Sequence, residues 1–234
     1  MSIRFLILSD IHERKTGLRN IISSVRDIGG IDYVLVAGDI THFSGRDRAF
    51  AILADIIEEL GKPVLFVPGN CDDPSLLSVE EYLDSQIIGI HNRRYCIDKY
   101  VLFGIGGSNI TPFNTLIEWS EEDLRSFIEK VKDVSRENLI VVTHAPIYGV
   151  MDEINGEHVG SKVLREFLDK HGAILWITGH LHEYSACTIV NKCLVVNPGP
   201  AMKSYYAIAE LGDSSVSVNV RNAYVNKTLR SCSI

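Results

Sequence analysis

Ile3-Arg-Phe-Leu-Ile-Leu8-Ser-Asp10-Ile-His12 is the stretch from which the fold is read. Apart from Arg4, residues 3–8 are apolar and β-leaning without sustained polar alternation, as a strand covered on both faces requires. The run closes on Asp10 and His12, two metal-ligand types one residue apart. In extended backbone, residues i and i+2 point to the same side. Both side chains therefore converge on one cation just beyond the strand. Open α/β sheets place their sites there, outside the carboxyl ends of the strands.

Downstream, Leu18, Ile21, Ile22, Val25 and Ile28 recur at helical spacing and Gly29-Gly30 ends the helix. A second buried strand, 33–37, closes on Gly38-Asp39, and an amphipathic helix follows over 46–60. The third strand, 64–67, closes on Pro68-Gly69-Asn70-Cys71-Asp72. This β-α-β-α-β order implies parallel strands with right-handed crossovers. Residues 87–90, 93–97 and 100–105 are short strand-like runs with little room for helices. A helix over 121–134 is N-capped by Ser120. A strand at 139–143 leads into His144, and a polar loop over 147–160 is expected to be mobile and to lie over the site. A helix at 162–170 precedes a strand at 173–178 that ends in Gly179-His180-Leu181-His182. The remainder is β-rich (185–190, 193–196, 205–211, 216–220). The Ser/Thr-rich tail 226–234 leaves disorder and packing on a neighbour both open. No linker or repeat divides the chain, so residues 1–234 are read as a single domain.

The chain has 234 residues, of which 46% are hydrophobic and 23% charged, as in a globular protein with a substantial core. A net charge of -7 and the lack of a basic stripe argue against nucleic acid and against an anionic membrane surface. No apolar run approaches the ~18 residues of a membrane helix. The apolar start is too short for a signal peptide. Five cysteines with no CxxC pair suggest reduced thiols and a cytoplasmic location. Cys96, Cys187 and Cys193 are expected in strands within the core.

Five strand ends carry the same punctuation: Asp10 and His12, Asp39, Asn70, His144, and His180 and His182. One such residue is commonly a cap. Seven together, with glycines beside them, describe a metal site. Their order also resembles the calcineurin-like metallophosphoesterase family, whose motifs are DxH, GD, GNH(D/E), a strand-end His and GHxH. The matches run from Asp10 to His182. The resemblance implies a four-layer αββα sandwich of two mixed sheets flanked by helices. It further implies two divalent ions bridged by Asp39, one held by Asp10, His12, Asp39 and His182, the other by Asp39, Asn70, His144 and His180. Carboxylate, imidazole and amide ligands suit Mn, Fe, Co, Ni or Zn. Two ions ~3.5–4 Å apart would clamp an in-line displacement and make hydroxide available near neutral pH.

Cys71 departs from the pattern, standing where the family has its catalytic histidine, with Asp72 after it. A thiol with a reference pKa of ~8.5 is no cationic donor at neutral pH. The Asn70-Cys71-Asp72 sequence is similar to a bacterial and archaeal branch of the family associated with phosphodiesterase activity. Asn70, Cys71 and Asp72 are thus the expected catalytic residues. The substrate expected is a small or nucleotide-like phosphodiester. The alternatives are a phosphomonoesterase or phosphoprotein phosphatase, and a binding scaffold of the same fold. Oligomeric state is left open, a homo-oligomer included. His42 and Asn109 are read as solvated loop residues, His91 and His171 as surface, and Gly104-Ile105-Gly106-Gly107 as a strand-end turn.

Overall fold

The computed structural model describes residues 2–213 and 215–234. The chain begins with β1 (Ile3–Leu8), α1 (Lys15–Ile28), β2 (Tyr33–Ala37), α2 (Arg46–Leu60) and β3 (Val64–Val67). Five short strands follow: β4 (Glu81–Tyr82), β5 (Ile87–Gly89), β6 (Arg94–Ile97), β7 (Tyr100–Ile105) and β8 (Ser108–Asn109). Next come β9 (Glu118–Trp119), α3 (Glu121–Ile128), β10 (Leu139–Thr143), β11 (Glu153–Ile154), β12 (Glu157–His158), α4 (Lys162–Lys170) and β13 (Leu175–Ile177). The C-terminal part is β14 (Ala186–Val190), β15 (Cys193–Asn197), β16 (Tyr205–Leu211), β17 (Val216–Asn222) and β18 (Lys227–Ser233).

Two mixed sheets form. The first has the order β18-β17-β16-β1-β2-β3-β5-β4, and the second β14-β15-β13-β10-β7-β6. Strands β1, β2, β3 and β5 run parallel, as do β7, β10, β13 and β15, while antiparallel strands complete the edges. β1 shows why its sequence lacks alternation. Phe5 and Ile7 pack between the sheets with Leu102, Ile140 and Leu175. Leu6 and Leu8 face the other way, against Leu18 and Ile21 of α1 and Leu53 of α2. A third cluster joins β10 and Trp176 to Leu124 of α3 and Leu164 of α4. The layers are therefore helix, sheet, sheet, helix, the expected αββα sandwich. Each parallel strand is covered on both faces. No helix among the described residues is long and apolar enough to cross a membrane.

Local signals act as their chemistry dictates. Gly61 ends α2 in the left-handed conformation at φ 63°. Ser120 caps α3 through a reciprocal capping box with Asp123. That helix stops at Ile128 and tightens into a 3-10 turn over Glu129–Val131, short of the 134 expected.

Three expectations need correction, and the state of the tail, left open by the sequence, is resolved. The tail is an ordered edge strand, β18, paired antiparallel with β17. An edge strand with most side chains in solvent carries no apolar alternation, so its sequence does not mark it as a strand. Cys232 of that strand is disulfide-bonded to Cys187 of β14, with Cα atoms 6.1 Å apart, so these two thiols are not free. The bond joins an edge strand of each sheet, a proximity visible only once the strand order is known. Cys96 is exposed on β6, whereas Cys193 and Cys71 are buried. His91 is a half-buried packing residue, stacked 5.9 Å from the Trp119 ring and edge-on to Phe127. Burial pushes it down to about 4, and its Nδ1 accepts the Gly106 N–H.

Candidate metal centre

The loops after β1, β2, β3, β10 and β13 open at one end of the sandwich. Backbone bonds lace the first two together: Asp10 N–H donates to Gly38 O, and the Ile11 and His12 N–H groups both donate to Asp39 O. Asp10, His12, Asp39 and His180 all have positive φ, between 45° and 69°. Asp and His tolerate this region better than β-branched residues do, and such strain gathers at functional sites. Gly38 is required at φ 91°, since a Cβ there would meet His144 Nδ1 at 2.4 Å. At Gly69 a Cβ would sit 2.0 Å from Asp39 Oδ1. The backbone approaches the ligands too closely for any other residue.

The seven expected ligands converge as two groups. In the first, His12 Nε2 lies 3.2 Å from His182 Nε2, 3.9 Å from Asp10 Oδ1 and 3.6 Å from Asp39 Oδ2. His182 Nε2 is 3.2 Å from Asp10 Oδ1. In the second, Asn70 Oδ1 lies 3.0 Å from His144 Nε2 and 2.8 Å from His180 Nδ1, and Asp39 Oδ1 is 3.5 Å from His144 Nε2. Asp39 thus faces both groups, one oxygen to each. Within Asp10, His12 and His182, and again within Asp10, Asp39 and His144, all donor atoms fall within 4.8 Å of one another.

The hydrogen bonding tests whether a cation fits. His144 Nδ1 donates to Ala37 O at 2.7 Å. Its Nε2 lone pair then faces two oxygens, Asn70 Oδ1 and Asp39 Oδ1, which are acceptors as well. A proton or a cation must occupy that space. Burial works against charge on His144, yet the Asp39 and Asp10 carboxylates pull it up to about 9. A backbone carbonyl fixing the remote ring nitrogen is the usual support of a metal-bound imidazole. The paired His12 and His182 nitrogens pose the same demand. His182 is raised by its bond to Asp10, while burial lowers His12. His180 falls to about 4 through burial and the neighbouring His144. Burial opposes ionisation of Asp10 and Asp39, but hydrogen bonding and the imidazoles outweigh it and hold both below the usual carboxylate range. Two carboxylates, four imidazoles and one amide oxygen fit a divalent ion of the Mn-to-Zn series.

Cys71 lines the site, its N–H donating to Asp39 Oδ1 at 2.9 Å. Burial and the Asp39 charge push its thiol far above the ordinary range. Asp72 behaves differently from expectation. Its oxygens accept from the N–H groups of Ile40, Thr41 and Gly69 and from the Thr41 hydroxyl, at 2.7–3.0 Å, and it is fully buried. It braces the loop after β2 and does not reach the cleft.

The cleft above the ligands is about 710 Å³. Beyond the ligands and Cys71 its walls include Arg14, His42, Phe43, Phe113, Thr115 and Met202. Phe43 and Phe113 are 52% and 76% exposed, an unusual state for phenyl rings and suited to contact with a ligand. His42, read from the sequence as a solvated loop residue, lies 5.4 Å from the His12 ring and belongs to the wall. Asn109 instead holds the Val159 carbonyl. No residue of 147–160 lines the cleft. That segment folds into the β11–β12 hairpin, where buried Asp152 pairs with His158 at 2.7 Å.

Comparison with known proteins agrees with this geometry. The family model for calcineurin-like phosphoesterases matches residues 3–184. An uncharacterised protein of Methanocaldococcus jannaschii is 36% identical over 182 residues, covering 75% of this chain and 79% of its own. A dimetal phosphatase from Danio rerio superposes with a TM-score of 0.70 at 12% identity, over 99% of this chain and 98% of that one. A protein of Thermus thermophilus gives 0.68 at 15% identity, over 99% of both chains. At these identities the two structures speak to the fold alone. With the family match spanning every candidate ligand from Asp10 to His182, the chain belongs to the calcineurin-like phosphoesterase family.

Proposed function

We propose that the protein is a dinuclear metal-dependent phosphodiesterase acting on a small or nucleotide-like phosphodiester. One ion would be held by Asp10, His12, Asp39 and His182, the other by Asp39, Asn70, His144 and His180. When bound, the two ions supply Lewis-acid charge and a hydroxide nucleophile near neutral pH. Manganese is the first candidate, with Fe, Co, Ni and Zn suited to the same ligands. The reading treats residues 1–234 as one domain, since ligands come from both sheets.

The observation that carries the diester reading is that the side chain lining the cleft beside the candidate ligands at this position is Cys71, a thiol that carries no positive charge in any protonation state. A cationic imidazole there would offset the second negative charge of a phosphomonoester and protonate a poor leaving group. A thiol does neither, which favours a monoanionic diester with a competent leaving group. The cleft leaves room for two ester groups, with Phe43 and Phe113 offering apolar surface to one of them. The cytoplasmic setting expected from the cysteines loses part of its support, since two of the five thiols form a disulfide.

The test is hydrolysis of paired chromogenic phosphodiester and phosphomonoester substrates by protein stripped with chelator and refilled with Mn, Ni, Zn or Mg. Metal-dependent turnover of the diester above the monoester is expected. Preference for the monoester would favour a phosphatase, and no turnover with bound metal would favour a scaffold. Cys71→His is expected to raise rates on poor leaving groups and to leave good ones nearly unchanged. A leaving-group series with unchanged or lower rates throughout would remove Cys71 from the explanation.

A further inference from the structure

We propose that Thr115 and Glu118 are positioning residues that determine which end of the Asn70 amide faces the ring nitrogens of His144 and His180. The inference rests on the reading of this pocket as a metal centre. An amide's oxygen and nitrogen ends are nearly the same size, so only hydrogen-bond direction tells them apart. At this site the direction is dictated from outside the ligand set.

Glu118 begins the chain of constraint. Its Oε1 accepts from the Thr115 hydroxyl at 2.6 Å, the Thr115 N–H at 2.8 Å and the Thr111 hydroxyl at 2.6 Å. Oε2 accepts the Thr111 N–H at 3.2 Å. Burial would raise this carboxyl, but the threonine donors outweigh it and hold it at about 2. It is an acceptor only. The single hydroxyl hydrogen of Thr115 is therefore committed to Glu118, and Thr115 Oγ1 can only accept from its other neighbour. That neighbour is the Asn70 side chain, with Nδ2 3.0 Å away. Only the NH₂ end satisfies it. Oδ1 is left aimed at His144 Nε2 and His180 Nδ1. The backbone fixes the distance, since the Leu116 and Ile117 N–H groups donate to Asn70 O at 2.9 and 3.3 Å. Without the relay, a flipped amide would present N–H hydrogens to a cation, replacing a ligand with a repulsion.

The test is calorimetric titration of the metal-free full chain with Mn²⁺, in wild type, Thr115→Val, Thr115→Ser, Glu118→Ala and the Thr115→Val/Glu118→Ala double variant. Thr115→Val keeps the volume and removes the hydroxyl. It is expected to weaken one of the two Mn²⁺ sites by ~10–100-fold, the range for removing an outer partner of a ligand, and to leave the other unchanged. Thr115→Ser should restore the affinity. The double variant should lose no more than Thr115→Val, because both act through one hydrogen bond. Equal Mn²⁺ affinity in wild type and Thr115→Val would overturn the relay while leaving the metal centre intact. So would an equal loss at both sites, unrestored by serine and accompanied by a lower melting temperature of the metal-free protein. A wild type that takes up no Mn²⁺ would overturn the metal reading itself, and the relay with it.

Discussion

Asp39→Asn is expected to lower turnover of a chromogenic phosphodiester by ~10³-fold or more, a loss of several kcal/mol of transition-state stabilisation. The size follows from the position of this one carboxylate. Its two oxygens face separate groups, Oδ2 toward His12 and Oδ1 toward His144. Asp10 also lies within 4.8 Å of donor atoms in both groups, but among the described residues only Asp39 has one oxygen within 3.6 Å of His12 Nε2 and the other within 3.5 Å of His144 Nε2. The amide should preserve the fold, because its oxygen can still accept the Cys71 N–H in place of Asp39 Oδ1. The measurement is kcat/KM at saturating metal, alongside circular dichroism and metal content. Retention of more than a tenth of the activity with both ions bound would show that Asp39 is not the shared ligand.

Loss of the Cys187–Cys232 bond is expected to cost about 2–4 kcal/mol of stability, the range for a crosslink that closes a loop of this order. The two cysteines are 45 residues apart, so the bond removes considerable freedom from the unfolded chain. It also secures β18, a strand whose side chains are largely in solvent. Without it, β18 is held chiefly by its ladder to β17. Cys232→Ser is the variant of choice, since Cys232 is only partly buried and Cys187 keeps its volume in the core. Denaturant unfolding should show a lower midpoint in Cys232→Ser, and dithiothreitol should shift the wild type to match it. Coincident curves for oxidised, reduced and variant protein would refute the contribution. Diester turnover should hardly change, because β14 begins after the last ligand, His182.

The parts of the fold legible in the sequence were those in which one short segment states its own environment. Apart from Arg4 near the start of β1, the β1, β2 and β3 strands carry apolar runs because each is covered by a helix layer on one side and a second sheet on the other. The convergence of the seven candidate ligands was legible for a related reason: polar residues of metal-binding type sit where such runs stop. Features that depend on distant segments meeting were not. Thr115 and Glu118 belong to no sequence motif, and acquire meaning only because residues 115–118 fold back onto Asn70. Cys187 and Cys232 look like two of five unrelated thiols until the two sheet edges are placed side by side. Asp72 follows the motif in sequence, yet its neighbours' N–H groups turn it away from the cleft. His42 is exposed, as a solvated loop residue should be, but it stands in the cleft wall, whereas His91 leaves the expected surface for a packed aromatic cluster.

Asp10, His12, Asp39 and Asn70 follow strands of one sheet, and His144, His180 and His182 follow strands of the other. The apolar layer between the sheets therefore acts as a ruler for the centre. Phe5, Leu35 and Leu65 on one side and Ile140, Leu175 and Leu194 on the other set how far apart the two half-sites stand. Interiors this closely filled transmit a change of even one methylene. Substitutions in that layer, remote from any substrate, should alter metal selectivity and rate by moving whole sets of ligands together. The centre's dimensions are thus inherited from the interior as much as from the motif residues, and matching motifs in a relative need not bring matching catalysis.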